Sequence, residues 1–530
     1  MSTFLERKQV GRSTFISIGV WGCITLILIF VHIRLFPYAE DDAYIHFRIA
    51  TNFIDHGVPY FNVGDPVYAT SSISWTLLTS SIFKVITRDP RVIAIFNSLF
   101  TTAGAFLFKR LLQRLTLNSY RPVYYWFFAC FYIAQLVVPS SGLMETPFAL
   151  LLLAIGLWLL LDKNPLCFVV FWAMIFTRLE LLIVLAFVLV YCFFQKTFSY
   201  KVILCWCVIG ATPFIIFALY FWGTLIPNTV IAKQQLYLIS YFEIIWRLVD
   251  SLLPDFPYYA FEFEEYGMVV YQFIYLVALV ALIVYFIFHG IRTKPGDKTK
   301  GMFYLLLVSG AVIVGAYAWR KVLLFGWYIP LYVIPISFGL YGIVFLSKKP
   351  TRWILIVALI PGILSLLGNF SQTLLSVAMN DPSLYPNFME GSRVRKYIQL
   401  GETLYQKYPG ATLMTSEIGG LGYGYQGYIF DGAGLVSPQA LQFHPMKVPE
   451  ERNNGLLGSI PVDFIELVDP DIIVSYDVFV EAFLQSELGD QYIRIREPIF
   501  LDDDLERSQS RQIWDSSNLN VFIRKDLKQP

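Results

Sequence analysis

Apolar runs long enough to cross a hydrocarbon core of roughly 30 Å recur from residue 14 to about 370 and then stop. The pattern predicts membrane helices over 14–36, 91–108, 122–138, 147–161, 165–178, 180–195, 201–222, 268–289, 302–319, 327–346 and 352–370. Two further stretches carry helical periodicity of another kind. In 74–87, Trp75, Leu78, Ile82 and Ile86 fall on one face while Thr76, Thr79, Ser80 and Thr87 line the other, which reads as an amphipathic helix in the membrane interface. In 41–55, Asp41, Arg48, Asn52 and Asp55 share one stripe and Ala43, Phe47, Ala50 and Ile54 the opposite one. That spacing predicts a helix lying on the membrane with its polar face outward. Beyond about 371 the runs shorten. Val394, Tyr397, Ile398, Leu404, Tyr405 and Tyr408 give a helical stripe closed by Pro409-Gly410. Ala411–Thr415, Ile472–Ser475, Tyr492–Ile495 and Asn520–Ile523 read as strands. The expected fold is a polytopic α-helical membrane protein of about 11 transmembrane helices plus outer juxtamembrane helices, residues 1–370, carrying a C-terminal α/β domain over 371–530.

Charge sets the orientation, because short cytoplasmic loops retain Lys and Arg. Arg7, Lys8 and Arg12 precede the first span, Lys109, Arg110, Arg114 and Arg121 follow the second, and Lys163, Lys196 and Lys201 come next. Arg292, Lys294, Lys298 and Lys300, then Lys348, Lys349 and Arg352, reach the same side only if 74–87 is not a span. The N-terminus is then cytoplasmic, the first span a signal anchor, and 37–90, 223–267 and 371–530 lie outside. Composition supports the membrane class: 56% of residues are hydrophobic and 15% charged. Forty basic side chains against thirty-nine acidic ones leave no global basic field for nucleic acid. The six cysteines all lie in apolar stretches before residue 208 with no Cys-x-x-Cys or Cys/His cluster, so neither a zinc site nor a disulfide framework is expected.

The polar chemistry concentrates in the outer loops. Asp41 and Asp42, with Arg48 two turns on, offer a general base and a phosphate clamp; a helix cap paired with Arg48 is the plain alternative. Glu145 sits at a span boundary, either as a working carboxylate or as a favourable charge at a helix start. Arg178 runs against the positive-inside tendency, and requires either Glu180, badly placed at i, i+2 on a helix, or an external anion. Asn228 reads as a turn residue and Lys233 as a snorkelling anchor, each with a functional alternative. Asp431 and His444 either reach the site from above or serve a capped turn and the surface. Gly419-Gly420-Leu421-Gly422-Tyr423-Gly424 lacks a nucleotide-binding spacing and suggests close turns instead.

Asp41-Asp42-Ala43-Tyr44-Ile45-His46-Phe47-Arg48, Asn52, Gly57, Phe61-Asn62-Val63-Gly64-Asp65 and Ser74-Trp75-Thr76-Leu77-Leu78 together resemble the first loop of bacterial C-superfamily (GT-C) glycosyltransferases similar to mycobacterial arabinofuranosyltransferases. Gly142-Leu143-Met144-Glu145-Thr146 looks like that family's Gly-Leu-Glu-Thr with one residue inserted, and Thr177-Arg178-Leu179-Glu180 like its Thr-Arg-Pro-Glu. Pro227-Asn228-Thr229 with Ala232-Lys233, and Asp431-Gly432-Ala433-Gly434-Leu435, continue the order. The resemblance implies a bacterial inner-membrane enzyme moving a pentose or hexose from a polyprenyl-phosphate donor to an envelope glycan, lipid or protein at the outer face. It implies Asp41 or Asp42 as base, Asp41 preferred for sharing the stripe of Arg48. Arg48, Arg178 and Lys233 would clamp phosphate, with Glu145, Asn228, Glu180, Asp431 and His444 orienting the substrate. A divalent cation, Mg or Mn, would lie among Asp41, Asp42 and Glu145. Tyr68-Ala69-Thr70-Ser71 stands where the family often has Glu-Gly-Tyr-Thr, so sugar or acceptor choice is expected to differ. The competing classes are a lipid-linked sugar flippase, which would need polar residues at the membrane midplane, and a scaffold tolerant of Asp41→Asn.

Overall fold

A computed structural model describes residues 2–117, 122–236, 298–321, 324–346, 366–444, 460–508, 512–513 and 516–527, together with Ile244; of 2–16 and 298–299 it describes the backbone alone. The spans expected over 268–289 and over 352–370 up to residue 365 lie outside these residues, as do Arg292, Lys294, Lys348, Lys349, Arg352 and most of the loop 223–267 beyond 236. Among the described residues six helices are long and apolar enough to cross a membrane: Ser17–Tyr38, Arg91–Leu115, Pro122–Ser141, Tyr200–Trp222, Lys300–Arg320 and Gly326–Leu346. Shorter apolar helices, Thr146–Leu161, Leu166–Ile175 and Leu179–Gln195, occupy the other sequence-defined spans.

The elements that position the site are α1 (Ser2–Leu35), α2 (Asp41–His56), α3 (Ile73–Val85), α4 (Arg91–Leu115), α5 (Pro122–Ser141), α6 (Thr146–Leu161), α7 (Leu166–Ile175), α8 (Leu182–Gln195), α9 (Tyr200–Trp222), α10 (Asn228–Leu236), α11 (Lys298–Arg320), α12 (Pro330–Leu346), α13 (Ser371–Ala378), α14 (Phe388–Lys407) and α15 (Gly419–Gly424). Helix α4 packs on α1, α5 and α6, α6 on α7, α7 on α9, and α11 on α8 and α12. Small residues permit the closest crossings: a methyl at Gly342 of α12 would collide with the Phe303 ring of α11. Leu204, Ile216 and Tyr220 of α9 face outward, as a lipid-facing helix requires.

Two expectations for the first outer loop are corrected. The 74–87 helix forms as α3, but Thr76, Thr79 and Ser80 are buried while Ile86 is exposed. Its start is tied to the end of α7: the Ser74 amide donates to the Phe176 carbonyl, and Ser74 Oγ to the Ala173 carbonyl at 2.8 Å. The threonine face thus packs against protein instead of water, because those bonds pull α3 into the bundle. Helix α2 likewise is not laid out under solvent. Ala43, Phe47 and Ala50 pack into the bundle core, while Ile45 and Ile49 join the core of the C-terminal domain on the other side. The helix begins with acidic residues that complement its dipole and stops at Gly57, whose φ of +73° suits a glycine.

The C-terminal domain is built on five strands, β1 (Leu413–Thr415), β2 (Ile429–Asp431), β3 (Ile472–Tyr476), β4 (Tyr492–Pro498) and β5 (Asn518–Arg524), in the order β2-β1-β3-β5-β4. The first three run parallel, and β5 lies antiparallel to both β3 and β4. Strand β2 escapes the sequence pattern because it is three residues long beside a glycine-rich turn. The glycine segment that suggests turns forms α15 instead. Its glycines allow backbone contact: a methyl at Gly419 would strike the Asp41 backbone, and one at Gly424 the Ile398 carbonyl of α14.

Candidate active site

One face of α2 is a clasp. Asp41 accepts from the Gly419 and Gly420 amides at 2.9 and 2.8 Å, placing a carboxylate against the first N–H groups of α15. Burial pushes this carboxyl above its ordinary value, against the pull of Arg393 and of the two amides. Arg48 uses all five of its N–H donors locally: Nε to the Phe61 carbonyl, Nη1 to those of Gly422 and Tyr425, and Nη2 to Asn62 Oδ1 and the Gly427 carbonyl, over 2.6–3.2 Å. The phosphate-clamp role expected for Arg48 is therefore corrected. Its guanidinium is saturated by carbonyl oxygens, buried, and joins the first loop to the C-terminal domain.

A second clasp involves three more of the candidates. Asn228 Nδ2, at the start of α10, donates to the Gly434 and Leu435 carbonyls at 2.7 and 2.8 Å. Asp431 is fully buried and accepts from the Ala433 and Val436 amides, shaping the turn that presents those carbonyls. Burial raises its carboxyl to about 7. His444 Nε2 lies 2.8 Å from the Gly432 carbonyl of the same turn. The substrate-orienting roles expected of Asp431 and His444 are corrected to turn-building, since their polar atoms serve their own backbone.

The remaining candidates gather on the opposite side of α2, where it meets the membrane helices. Arg178 lies in extended backbone, φ −148° and ψ 108°, before a 3-10 turn. In extended chain i and i+2 share a face, so the pair with Glu180 that helical spacing disfavours does form. Arg178 Nη1 also holds Glu145 Oε1 at 2.7 Å, and its guanidinium carbon lies 4.1 Å from the Tyr328 ring centroid. Tyr317 donates to Glu180 at 2.7 Å and Ser72 to Glu145 at 3.3 Å. Burial opposes the charge of Glu145, yet Arg178 and His46 outweigh it and hold the carboxyl below its ordinary value. Glu145 Oε2 is buried and has no hydrogen-bond partner among the described residues.

Lys233 closes this group. Its ammonium donates to the Tyr328 hydroxyl at 3.2 Å and stands 3.7 Å from Asp42 Oδ2. The Asp42 side chain is 32% exposed, against 17% for Glu180 and 2% for Glu145, so Asp42 is the most accessible of these three carboxylates. Sequence reasoning missed His46. It lies one turn after Asp42 on α2, is buried, and takes Thr70 Oγ1 at 3.3 Å on Nδ1. Burial lowers its pKa, against the pull of Glu145 and Asp42. The i, i+4 spacing from Asp42 was the available signal. Among the described residues no three His, Cys, Asp or Glu side chains converge. Of the three carboxylates expected to hold a cation, Asp41 is engaged by α15 and Glu145 by Arg178, while Asp42 stands beside Lys233.

No protein-family model and no curated protein matches this chain. Among solved structures it is similar to ArnT from Cupriavidus metallidurans bound to undecaprenyl phosphate, at 11% identity and a TM-score of 0.50, over 97% of this chain and 99% of that one. At such identity the likeness concerns fold alone: a helical membrane module with a small C-terminal sheet domain.

Proposed function

We propose that this chain is a membrane glycosyltransferase that takes a sugar from a polyprenyl-phosphate donor and passes it to a hydroxyl of an envelope glycan, lipid or protein. The observation that carries the reading is Asp42, the most exposed carboxylate of this cluster among the described residues, beside the ammonium of Lys233. A solved structure of like fold holds undecaprenyl phosphate, which supports a donor of that class.

In this reading Asp42 takes the proton of the acceptor hydroxyl as it attacks the anomeric carbon, and Lys233 stabilises the phosphate that leaves. Asp41, preferred from sequence, yields the role to Asp42 because both of its oxygens already hold amides. Glu145 is kept charged by contact with Arg178 and acts from behind Asp42, through the electrostatics of the site. Arg178 acts behind it, fixing Glu145 and Glu180 and backing Tyr328. The seam would face outward from a bacterial inner membrane, where no nucleotide sugar is at hand and a lipid must carry the donor. No step is assigned to a metal ion. The test is turnover of the purified protein in lipid with a panel of polyprenyl-phosphate pentoses and hexoses. Release of polyprenyl phosphate by wild type and its loss in Asp42→Asn are expected. A folded wild type inert with every donor and acceptor, yet scrambling the intact lipid-linked sugar, would replace transfer by flipping.

A further inference from the structure

At the far end of α2, roughly 20 Å from Asp42 at 1.5 Å per residue, lies a second and separate cavity of about 470 Å³. One wall comes from the first loop, with Thr51, Asp55 and Arg88; the other from the C-terminal domain, with Tyr405, Tyr423 and Gln426. The space exists only because the two clasps hold those modules together. Its charges are matched in place. Arg88 grips Asp55 with both nitrogens, and Arg48 at the floor is saturated by carbonyls. An anion would therefore find no uncommitted cation among the described residues. A lipid chain would find walls that are mostly polar.

What the cavity offers is tyrosine rings and neutral hydrogen-bonding groups. Thr51, His56 and Gln426 have side chains with no hydrogen-bond partner among the described residues. The Tyr428 hydroxyl reaches Asp65 at 3.1 Å, so one edge of the wall is already fixed. Aromatic faces pack on the C–H side of a sugar ring, while amide, hydroxyl and paired carboxylate edges take its hydroxyls. We infer that this cavity binds neutral saccharide, two or three units of a glycan chain. That the bound glycan belongs to the acceptor rests on the function proposed above; the binding itself does not.

The experiment uses the full chain in lipid nanodiscs, titrated with maltotriose, cellotriose and mannotriose and read by saturation-transfer NMR, with inorganic phosphate as competitor. At least one trisaccharide should bind, about tenfold more weakly in Tyr405→Ala and in Gln426→Ala, where tenfold corresponds to about 1.4 kcal/mol. The Gln426 side chain is exposed, so its removal leaves the fold intact and guards against a misfolded Tyr405 variant. Asp42→Asn should bind as wild type does. Binding by none of the three sugars, binding untouched by both cavity variants, or displacement by phosphate would each overturn the inference. Saccharide binding without any sugar transfer breaks only the proposed function, and transfer without such binding breaks only this inference.

Discussion

Asp41 and Asp42 are neighbours in sequence, yet they belong to two regions of opposite physical character. Asp41 faces the C-terminal domain, buried, with both oxygens on backbone amides. Asp42 faces the membrane helices, partly open, with a lysine 3.7 Å away. Adjacent helix residues project about 100° apart, so a helix wedged between two modules sends one carboxylate into each. The two arginines divide in the same way. Arg48 satisfies carbonyls and stitches the modules, whereas Arg178 binds two carboxylates and keeps one of them charged. Like residue types therefore serve construction on one face and, in the function proposed above, chemistry on the other.

The largest effect should come from breaking the chemical face alone. Asp42→Asn is expected to lower turnover roughly a thousandfold while leaving the melting temperature within about 2 °C of wild type. Asp41→Asn should do the reverse, losing stability and keeping most of its turnover per folded molecule; equal turnover losses in both would erase the distinction drawn between them. Next comes the clasp. Arg48→Met strips the Gly422, Tyr425 and Gly427 carbonyls of their donor and should destabilise by at least about 3 kcal/mol. Limited proteolysis should then cut between α2 and the C-terminal domain before the membrane helices unfold. Arg178→Lys keeps the charge but loses the fork that spans Glu145 and Glu180, for about a tenfold loss in kcat/KM without change in the melting temperature.

The smallest effect concerns pH. Glu40, next to the pair, is pushed from 4.5 to about 8 by burial first and then by Glu390 and Asp42. A carboxyl whose pKa is higher folded than unfolded binds more protons in the folded state between those values. Its stabilising share is complete at low pH and is lost as pH rises through about 8. Melting curves across pH 5–9 should therefore slope downward, and Glu40→Gln should flatten the slope. An unchanged slope would show that Glu40 does not titrate in this window.

Much of the fold is legible in the chain because bilayer thickness and backbone satisfaction leave so few options. Each span falling on described residues is a helix, and the change of composition near 371 precedes the sheet domain. The candidate residues are also mostly placed near the seam. Their roles were not legible, for reasons visible in single residues. Arg178 was judged on helical spacing but sits in extended backbone. Asp41 was preferred for sharing a stripe with Arg48, and that very stripe turned out to be the docking face.

The sequence by itself determined which segments are long and apolar enough to leave water and which polar residues crowd the loops between them. Hydrophobic length and local periodicity are properties of neighbouring residues, and no distant contact revises them. Only the tertiary structure decided which of those polar residues remain available. Whether Asp41, Arg48 and Asn228 meet a ligand or the backbone depends on amides and carbonyls contributed, in most cases, from some 200 or more positions away. A side chain is open to chemistry only when the fold has not already supplied its partner.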